Sequence, residues 1–281
     1  MNETGVARGS ADVLGWGLPR LRDLPWRRTR DPWAILVSEV MLQQTQVPRV
    51  IPKWLAFMDA YPTPADCAAA ALGDVLRLWQ GLGYPRRARN LQLAAAEVTR
   101  LGGFPSTLGQ LLDLPGVGQY TARAVLAFAF ESDAAVVDTN IARVFARVAG
   151  SALTAKQVQS AADQAQPSGM SWEWNQCLME LGAVLCRPTP NCAECPLAAL
   201  CAWHGSGPDP AIGSAGVSRP QPRFEGSGRQ ARGRLLKALT SGPLSVEAAG
   251  RVMSHPAAER LLRALCADGL VQHDGEFVRL P

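Results

Sequence analysis

The chain has no run of eighteen apolar residues, and its start, MNETGVARGSADVLG, is polar and small rather than basic and then apolar. The first absence argues against a membrane-spanning helix and the second against a secretory leader, so a cytoplasmic protein is expected. Strands are nearly missing too. No stretch before residue 270 alternates apolar and polar residues, which argues against a sheet-based domain over most of the length. Lysine occurs only at Lys53, Lys156 and Lys237, so arginine carries the positive charge. What is present is 47% hydrophobic residues over 281 positions, enough for one large domain or two to three smaller ones. A net charge of +4 permits a polyanionic partner without demanding one. Seven cysteines in a cytoplasmic chain are not read as disulfides.

Helix signals dominate up to about residue 204. Asp31-Pro32 opens a helix that should run to about Val47, Thr63-Pro64 opens another, Asp74 marks a short one, and Arg86 to Leu101 is closed by Gly102-Gly103. Short helices are expected near 107–113, 119–130, 139–149, 156–166 and 171–186. Residues 205–228, GSGPDPAIGSAGVSRPQPRFEGSG, read as a linker. Residues 229–281 give three helical stretches and then LVQH-DG-EFVRL, two short strands around an Asp-Gly turn. That order resembles a winged-helix module, in which Arg260 and Arg263 on the third helix could touch phosphate; the plainer reading is a small packing domain.

Three groups of residues carry chemistry. In LPGVGQYTARAV, Leu114 and Pro115 close one helix, Gly116 and Gly118 permit a hairpin, and a second helix starts near Gln119. Backbone N–H groups from Val117 to Tyr120 then stand at the positive end of a helix dipole, where a phosphate oxygen fits, as in the helix-hairpin-helix of many DNA-binding proteins. Downstream, Asp138 in VVDTN reads as a helix N-cap, which would hold its carboxylate ionised and fixed in direction. In PWAILVSEVMLQQTQV, Glu39 is the only charged residue of an apolar helix, so desolvation should raise its pKa and suit it to act as a general acid. An acid and an ionised carboxylate are the pair that suits cleavage of a glycosidic bond. The third group is Cys186, Cys192, Cys195 and Cys201, spaced C-x5-C-x2-C-x5-C. Four thiols so close can bind zinc or an iron–sulfur cluster, and one CxxC flanked by single cysteines favours [4Fe–4S]. His204 is a possible substitute ligand, and Cys67, Cys177 and Cys266 read as small core residues.

LPWRRTRDPWAILVSEVMLQQTQV, WQGLGYPRRARNL, LPGVGQYTARAV, VVDTN, WNQCLMELGAVLC and the cysteine cluster together resemble the MutY-type adenine DNA glycosylases of the endonuclease III superfamily, over roughly residues 20–205. The resemblance implies an all-α, two-lobed helix-hairpin-helix glycosylase fold with an iron–sulfur loop, here followed by the winged-helix-like module. Its lobes would be 26–134, carrying the hairpin, and 1–25 with 135–204, carrying a [4Fe–4S] cluster, with 205–228 as linker and 229–281 as the module. It implies Glu39 as the acid that protonates the extruded adenine, Asp138 as the carboxylate that stabilises the sugar cation, and Asn140 as a positioning group. Tyr120 takes the place of a nucleophilic lysine in bifunctional relatives, so strand cleavage should be weak or absent. Leu42 and Gln43 match the base pocket, with Thr45 beside them; Gln44 and Tyr84 match residues that fill the gap left by the flipped base. Gly116, Val117, Gly118 and Gln119 would hold backbone phosphate. The implied partner is double-stranded DNA with adenine opposite 8-oxoguanine or guanine, bound by a monomer. Two departures are local: Pro85 replaces the second tyrosine often found after GLGY, and the first cysteine gap has five residues where six is usual. The third is larger, since many relatives end in a Nudix-like lesion-reading domain. Alternatives are a thymine glycosylase acting on G·T mismatches and, in a different class, an iron–sulfur redox-sensing DNA-binding regulator.

Overall fold

Several helices in this chain begin where a capping side chain or a proline stands ready, and several end where the backbone turns left-handed. The computed structural model describes residues 4–217 and 222–281; Ser218–Gln221, inside the expected linker, lie outside the described residues. Its helices are α1 (Gly5–Arg8), α2 (Ser10–Gly17), α3 (Pro32–Leu42), α4 (Val47–Ala60), α5 (Pro64–Ala69), α6 (Leu72–Leu78), α7 (Arg86–Leu101), α8 (Leu108–Leu112), α9 (Gln119–Ala129), α10 (Thr139–Ala149), α11 (Ala155–Ala165) and α12 (Ser171–Val184). Thr63 and Asp66 form a capping box on α5, Thr154 and Gln157 form another on α11, and Gly102 and Gly150 close α7 and α10 at φ 71° and 67°. After Pro222 come α13 (Gly228–Leu239), β1 (Leu244–Ser245), α14 (Val246–Met253), α15 (Ala258–Ala267), β2 (Gln272–His273) and β3 (Phe277–Arg279).

Two expectations are corrected, and two helices are added. The helix from Asp31 does not reach Val47: it stops at Leu42, because Gln44 takes a left-handed φ of 56°, and α4 restarts with Pro48 in its first turn. A strand precedes residue 270, since β1 pairs with β3 in a sheet of order β1-β3-β2; two residues are too short to show alternation. Helices α1 and α2 occupy a start that reads only as small and polar.

The described residues form two compact units, and the chain passes between them repeatedly. The first comprises the described residues of Met1–Ile35, Ser106–Leu112 and Val117–Arg219; the second comprises those of Leu36–Pro105, Asp113–Gly116 and Pro220–Pro281. This partition differs from a break at residues 25 and 134: Pro25–Ile35, α8 and α9 belong with α10–α12. The first unit is built around Val13, Ile141, Phe145, Trp174, Leu178 and Leu181. Its N-terminal segment is fastened to α12 by Glu180, fully buried, which accepts from Arg22 Nε at 2.9 Å and Arg27 Nη1 at 2.7 Å. A buried carboxylate needs such partners, because an unpaired charge there costs several kcal/mol. The second unit packs Phe57, Leu76, Trp79 and Leu91 from α4, α6 and α7, and the C-terminal module packs Leu235, Leu239, Met253, Leu265 and Val278.

The expected linker is also shorter than its composition suggests. Asp209 pairs with buried Arg147 at 2.7 Å, the Leu153 N–H donates to Ser214 Oγ at 2.9 Å, and Ala211 and Ser214 are buried. Residues 205–217 are therefore part of the first unit, held by side chains that Gly/Pro/Ser content does not reveal.

Candidate active site

In the second unit, α3 presents Glu39, whose residue is only 5% exposed, among buried Leu36, Val37, Val40 and Met41. The chain then turns through Leu42, Gln43, Gln44 and Thr45, with the Thr45 N–H donating to the Leu42 carbonyl at 3.1 Å. A second loop, Gly81–Tyr84, ends at Tyr84, which is exposed and left-handed at φ 48°. Gln44 and Tyr84 are two of only five non-glycine residues with positive φ among the described residues. Such backbone costs of order 1–3 kcal/mol and persists only where its surroundings over-determine it.

The surroundings here are Arg87, which sequence reasoning missed. Its Nη1 donates to the carbonyls of Val40, Met41 and Gln43 at 2.6, 3.1 and 2.7 Å, and its Nη2 to Thr45 Oγ1, Leu82 O and Gly83 O at 3.3, 2.9 and 3.1 Å. The guanidinium also lies 5.4 Å from the Trp79 ring centre and 5.5 Å from that of Tyr84. One planar fork thus fixes both loops, and burial pulls its pKa down to about 10. Nothing in RRARNL distinguishes Arg87 from Arg86 or Arg89. Pro85 causes no disturbance, since it stands just before α7 with φ −61°.

The hairpin divides in role between its glycines. Gly116 has φ 78°, and a Cβ there would lie 2.7 Å from Asn90 Cβ, so only glycine fits. Gly118 is different: at φ −102° and ψ −179° it is ordinary extended backbone, and a Cβ would meet nothing within 4 Å. It needs no special φ, contrary to expectation. As N-cap of α9 it makes no side-chain cap bond; Gln119 at the start of that helix is exposed, Tyr120 half-buried and Val117 buried.

In the first unit, Asp138 caps α10. Its Oδ1 accepts from the N–H groups of Asn140 at 2.9 Å and Ile141 at 2.7 Å, and its Oδ2 from Asn140 Nδ2 at 2.9 Å. Desolvation pushes the Asp138 carboxyl above its ordinary range, opposed by the Ile141 and Asn140 donors and by the charge of Arg143. These partners are donors, which suits an ionised carboxylate. Asn140 in turn accepts from Arg143 Nη2 at 2.8 Å, and Arg143 Nε donates to the Cys186 carbonyl at 2.6 Å. One turn on, Arg147 donates to the carbonyls of Cys186, Arg187 and Pro188 and to Cys186 Sγ at 3.4 Å. Helix α10 therefore carries the carboxylate at one end and grips the first cysteine from its middle, spanning the shortened gap.

All seven cysteines are free of disulfides. Cys186, Cys192, Cys195 and Cys201 line one cavity, together with Arg147 and Leu197, and His204 borders it from an exposed, left-handed position. Among the described residues no three ligating side chains converge on a single metal ion. Burial pushes the Cys186 and Cys195 thiols up, and Arg147 opposes this at Cys186.

Comparison with known proteins then decides the family. The chain matches the HhH-GPD superfamily of base excision DNA repair proteins over residues 37–167. It is 40% identical over 280 residues to the adenine DNA glycosylase of Mycolicibacterium smegmatis, covering 95% of this chain and 94% of the relative. The chain belongs to the adenine DNA glycosylase family. The human adenine DNA glycosylase is 43% identical over 219 residues, covering 71% of this chain and 39% of its own length. A solved thermostable thymine-DNA glycosylase aligns with TM-score 0.67 at 30% identity, over 72% of this chain and 97% of that one, which identifies the helix-rich HhH-GPD fold. Family membership makes the chain a base excision repair glycosylase that acts on DNA and sets aside a purely regulatory role.

Proposed function

We propose that the chain removes adenine mispaired with 8-oxoguanine or guanine from duplex DNA, by flipping the base and hydrolysing its N-glycosidic bond without cutting the strand. One observation carries the reading: a chain that matches an adenine DNA glycosylase almost end to end buries Glu39 in the middle of an apolar helix. Glu39 delivers a proton to the purine ring so that adenine leaves neutral. Asp138, held by three N–H donors, faces the positive charge that develops on the sugar, and Asn140 positions it. Tyr120 supplies no amine, so no Schiff base forms there. Leu42, Gln43 and Thr45 shape the base pocket, Gln44 and Tyr84 occupy the gap in the stack, and the backbone from Gly116 to Gln119 holds phosphate. The protein works as a monomer in the cytoplasm.

The donor set suits a [4Fe–4S] cluster held by Cys186, Cys192, Cys195 and Cys201. Four free thiols share one cavity beside a buried arginine, and their order, one CxxC flanked by single cysteines, favours a cluster over the two close pairs usual for structural zinc. When bound, the cluster supplies a rigid anchor for the loop that α10 grips. Brown protein with broad visible absorbance and bound iron is the expected outcome; colourless protein with stoichiometric zinc overturns it.

Duplexes carrying A opposite 8-oxoguanine, A opposite G and T opposite G, treated with alkali after incubation, test the activity. Breaks at the adenines support the reading, and Glu39→Gln should then lower single-turnover excision by about 10²-fold or more. Breaks at T opposite G alone would favour a second reading, thymine removal, to which the 0.67 likeness to a thymine-DNA glycosylase lends weight.

A further inference from the structure

The C-terminal module distributes its charge unevenly. Helix α13, GRQARGRLLKAL, carries Arg229, Arg232, Arg234 and Lys237 and no acidic residue. Its apolar side, Ala231, Leu235, Leu236 and Leu239, is buried in the module, while Arg234 and Lys237 are exposed. A Cβ on Gly233, just before Arg234 and one turn before Lys237, would meet nothing within 4 Å, so that face is open. Elsewhere the module neutralises its arginines: Arg251 pairs with Glu247, Arg263 with Glu259 at 3.6 Å, and Arg279 with Asp274 at 3.2 Å. On α15 Arg263 is paired with Glu259, Asp268 at its end is taken up by Arg86, and Arg260 is the one arginine of that helix in no ion pair among the described residues, so α15 offers one unpaired cation where α13 offers several. Among the described residues Arg232, Arg234 and Lys237 join no ion pair of this kind. The third helix, where a winged-helix resemblance places the phosphate contact, is therefore the less suited of the two.

The module is also fastened beside Tyr84. Arg229 Nη1 lies 3.4 Å from the Tyr84 hydroxyl, with Nη2 donating to the Pro222 carbonyl at 2.5 Å. Arg86 meets both Asp268 oxygens at 2.6 Å, and the Gly73 N–H donates to the Pro281 carbonyl at 2.9 Å. Helix α13 thus starts beside Tyr84, a residue placed above in the DNA contact, and runs on for about 12 Å from Arg229 to Lys237, on the order of three base-pair steps.

We propose that the exposed cationic face of α13, from Arg229 beside Tyr84 through Arg234 and Lys237, binds the phosphate backbone of duplex DNA and extends the enzyme's footprint onto the C-terminal module. This rests on the reading that the Tyr84 loop meets DNA. Such contacts add affinity without reading sequence, so the module lengthens the grip on any duplex.

The test is the salt dependence of binding by the full chain, measured by fluorescence anisotropy on a homoduplex and on a duplex with A opposite 8-oxoguanine. Each phosphate contact contributes about 0.9 to the slope of log K against log salt. The double variant Arg234→Gln, Lys237→Gln should lower that slope by about 2 on both duplexes. The control Arg260→Gln, Arg263→Gln should leave it unchanged. Gly233→Glu, which favours the helix while reversing local charge, should weaken binding with no fall in melting temperature. An unchanged slope in the α13 double variant, or a fall in the α15 control instead, overturns the proposal. Binding is read without any excision, so a protein that releases no base yet shows the α13 effect would sink the glycosylase reading and leave this one standing.

Discussion

Asp138 shows how one residue can be an ordinary cap and an unusual acid at once. Ser, Thr, Asn or Asp would each cap α10 about equally well, so capping alone does not call for a charge. The charge carries a cost: desolvation raises the Asp138 carboxyl above its unfolded value, so the folded state holds its proton more tightly than the unfolded chain. A group shifted in that direction favours folding while it is protonated, and that contribution is lost as pH rises through the folded pKa. Asp138→Asn keeps a cap and removes the titration. The variant should match the parent in melting temperature at a pH below the unfolded value of 3.8 and gain on it steadily as the pH is raised through the acidic range. Excision should fall by about 10²-fold or more at every pH. Calorimetric melts between about pH 3.5 and pH 7, where the parent overtook the variant with rising pH, would show that the three N–H donors outweigh desolvation.

At the scale of elements, the second unit's loops are set by a side chain rather than by their own sequences. The turn after α3 and the loop before α7 each contain a left-handed non-glycine residue, and neither has a sequence that would choose that backbone unaided. Arg87 reaches six oxygen acceptors, two at the end of α3 and four in the two loops, which Lys cannot do with one nitrogen and three donors. Arg87→Lys should therefore leave several carbonyls without their donor and cost about 2 kcal/mol or more in denaturant unfolding. Excision should fall with it, because Gln44 and Tyr84 lose their fixed positions. Unchanged stability would mean that the loops hold themselves and that Arg87 only fills space. The contrast with α10 is instructive: its cap, glycine stop and apolar stripe are all local, and its limits at Thr139 and Ala149 are where the sequence places them.

Across the whole molecule, what could be read from the sequence was what lies within a few residues of its cause. The caps, the hairpin, the cysteine spacing and the helix-then-hairpin order after residue 229 all depend on near neighbours, and the family resemblance rests on those same strings. The interleaving of the two units, the binding of 205–217 through Arg147 and Asp209, and the double hold of Arg87 join residues dozens of positions apart, which periodicity does not encode. The docking of the C-terminal module belongs to this second kind. Its most conspicuous link is the two-pronged Arg86–Asp268 pair, yet the Arg86 side chain is 67% exposed, so solvent and salt should screen it. The burial of Leu280 at 8%, the Gly73–Pro281 backbone bond and the close approach of Gly269 to Arg89 do not depend on that charge. A double-mutant cycle with Arg86→Gln and Asp268→Asn, followed by urea unfolding, should give a coupling under about 1 kcal/mol that shrinks further in high salt. A coupling of about 2 kcal/mol or more that survived high salt would make the ion pair the principal anchor, and the position of α13 beside Tyr84 would then depend on two side chains.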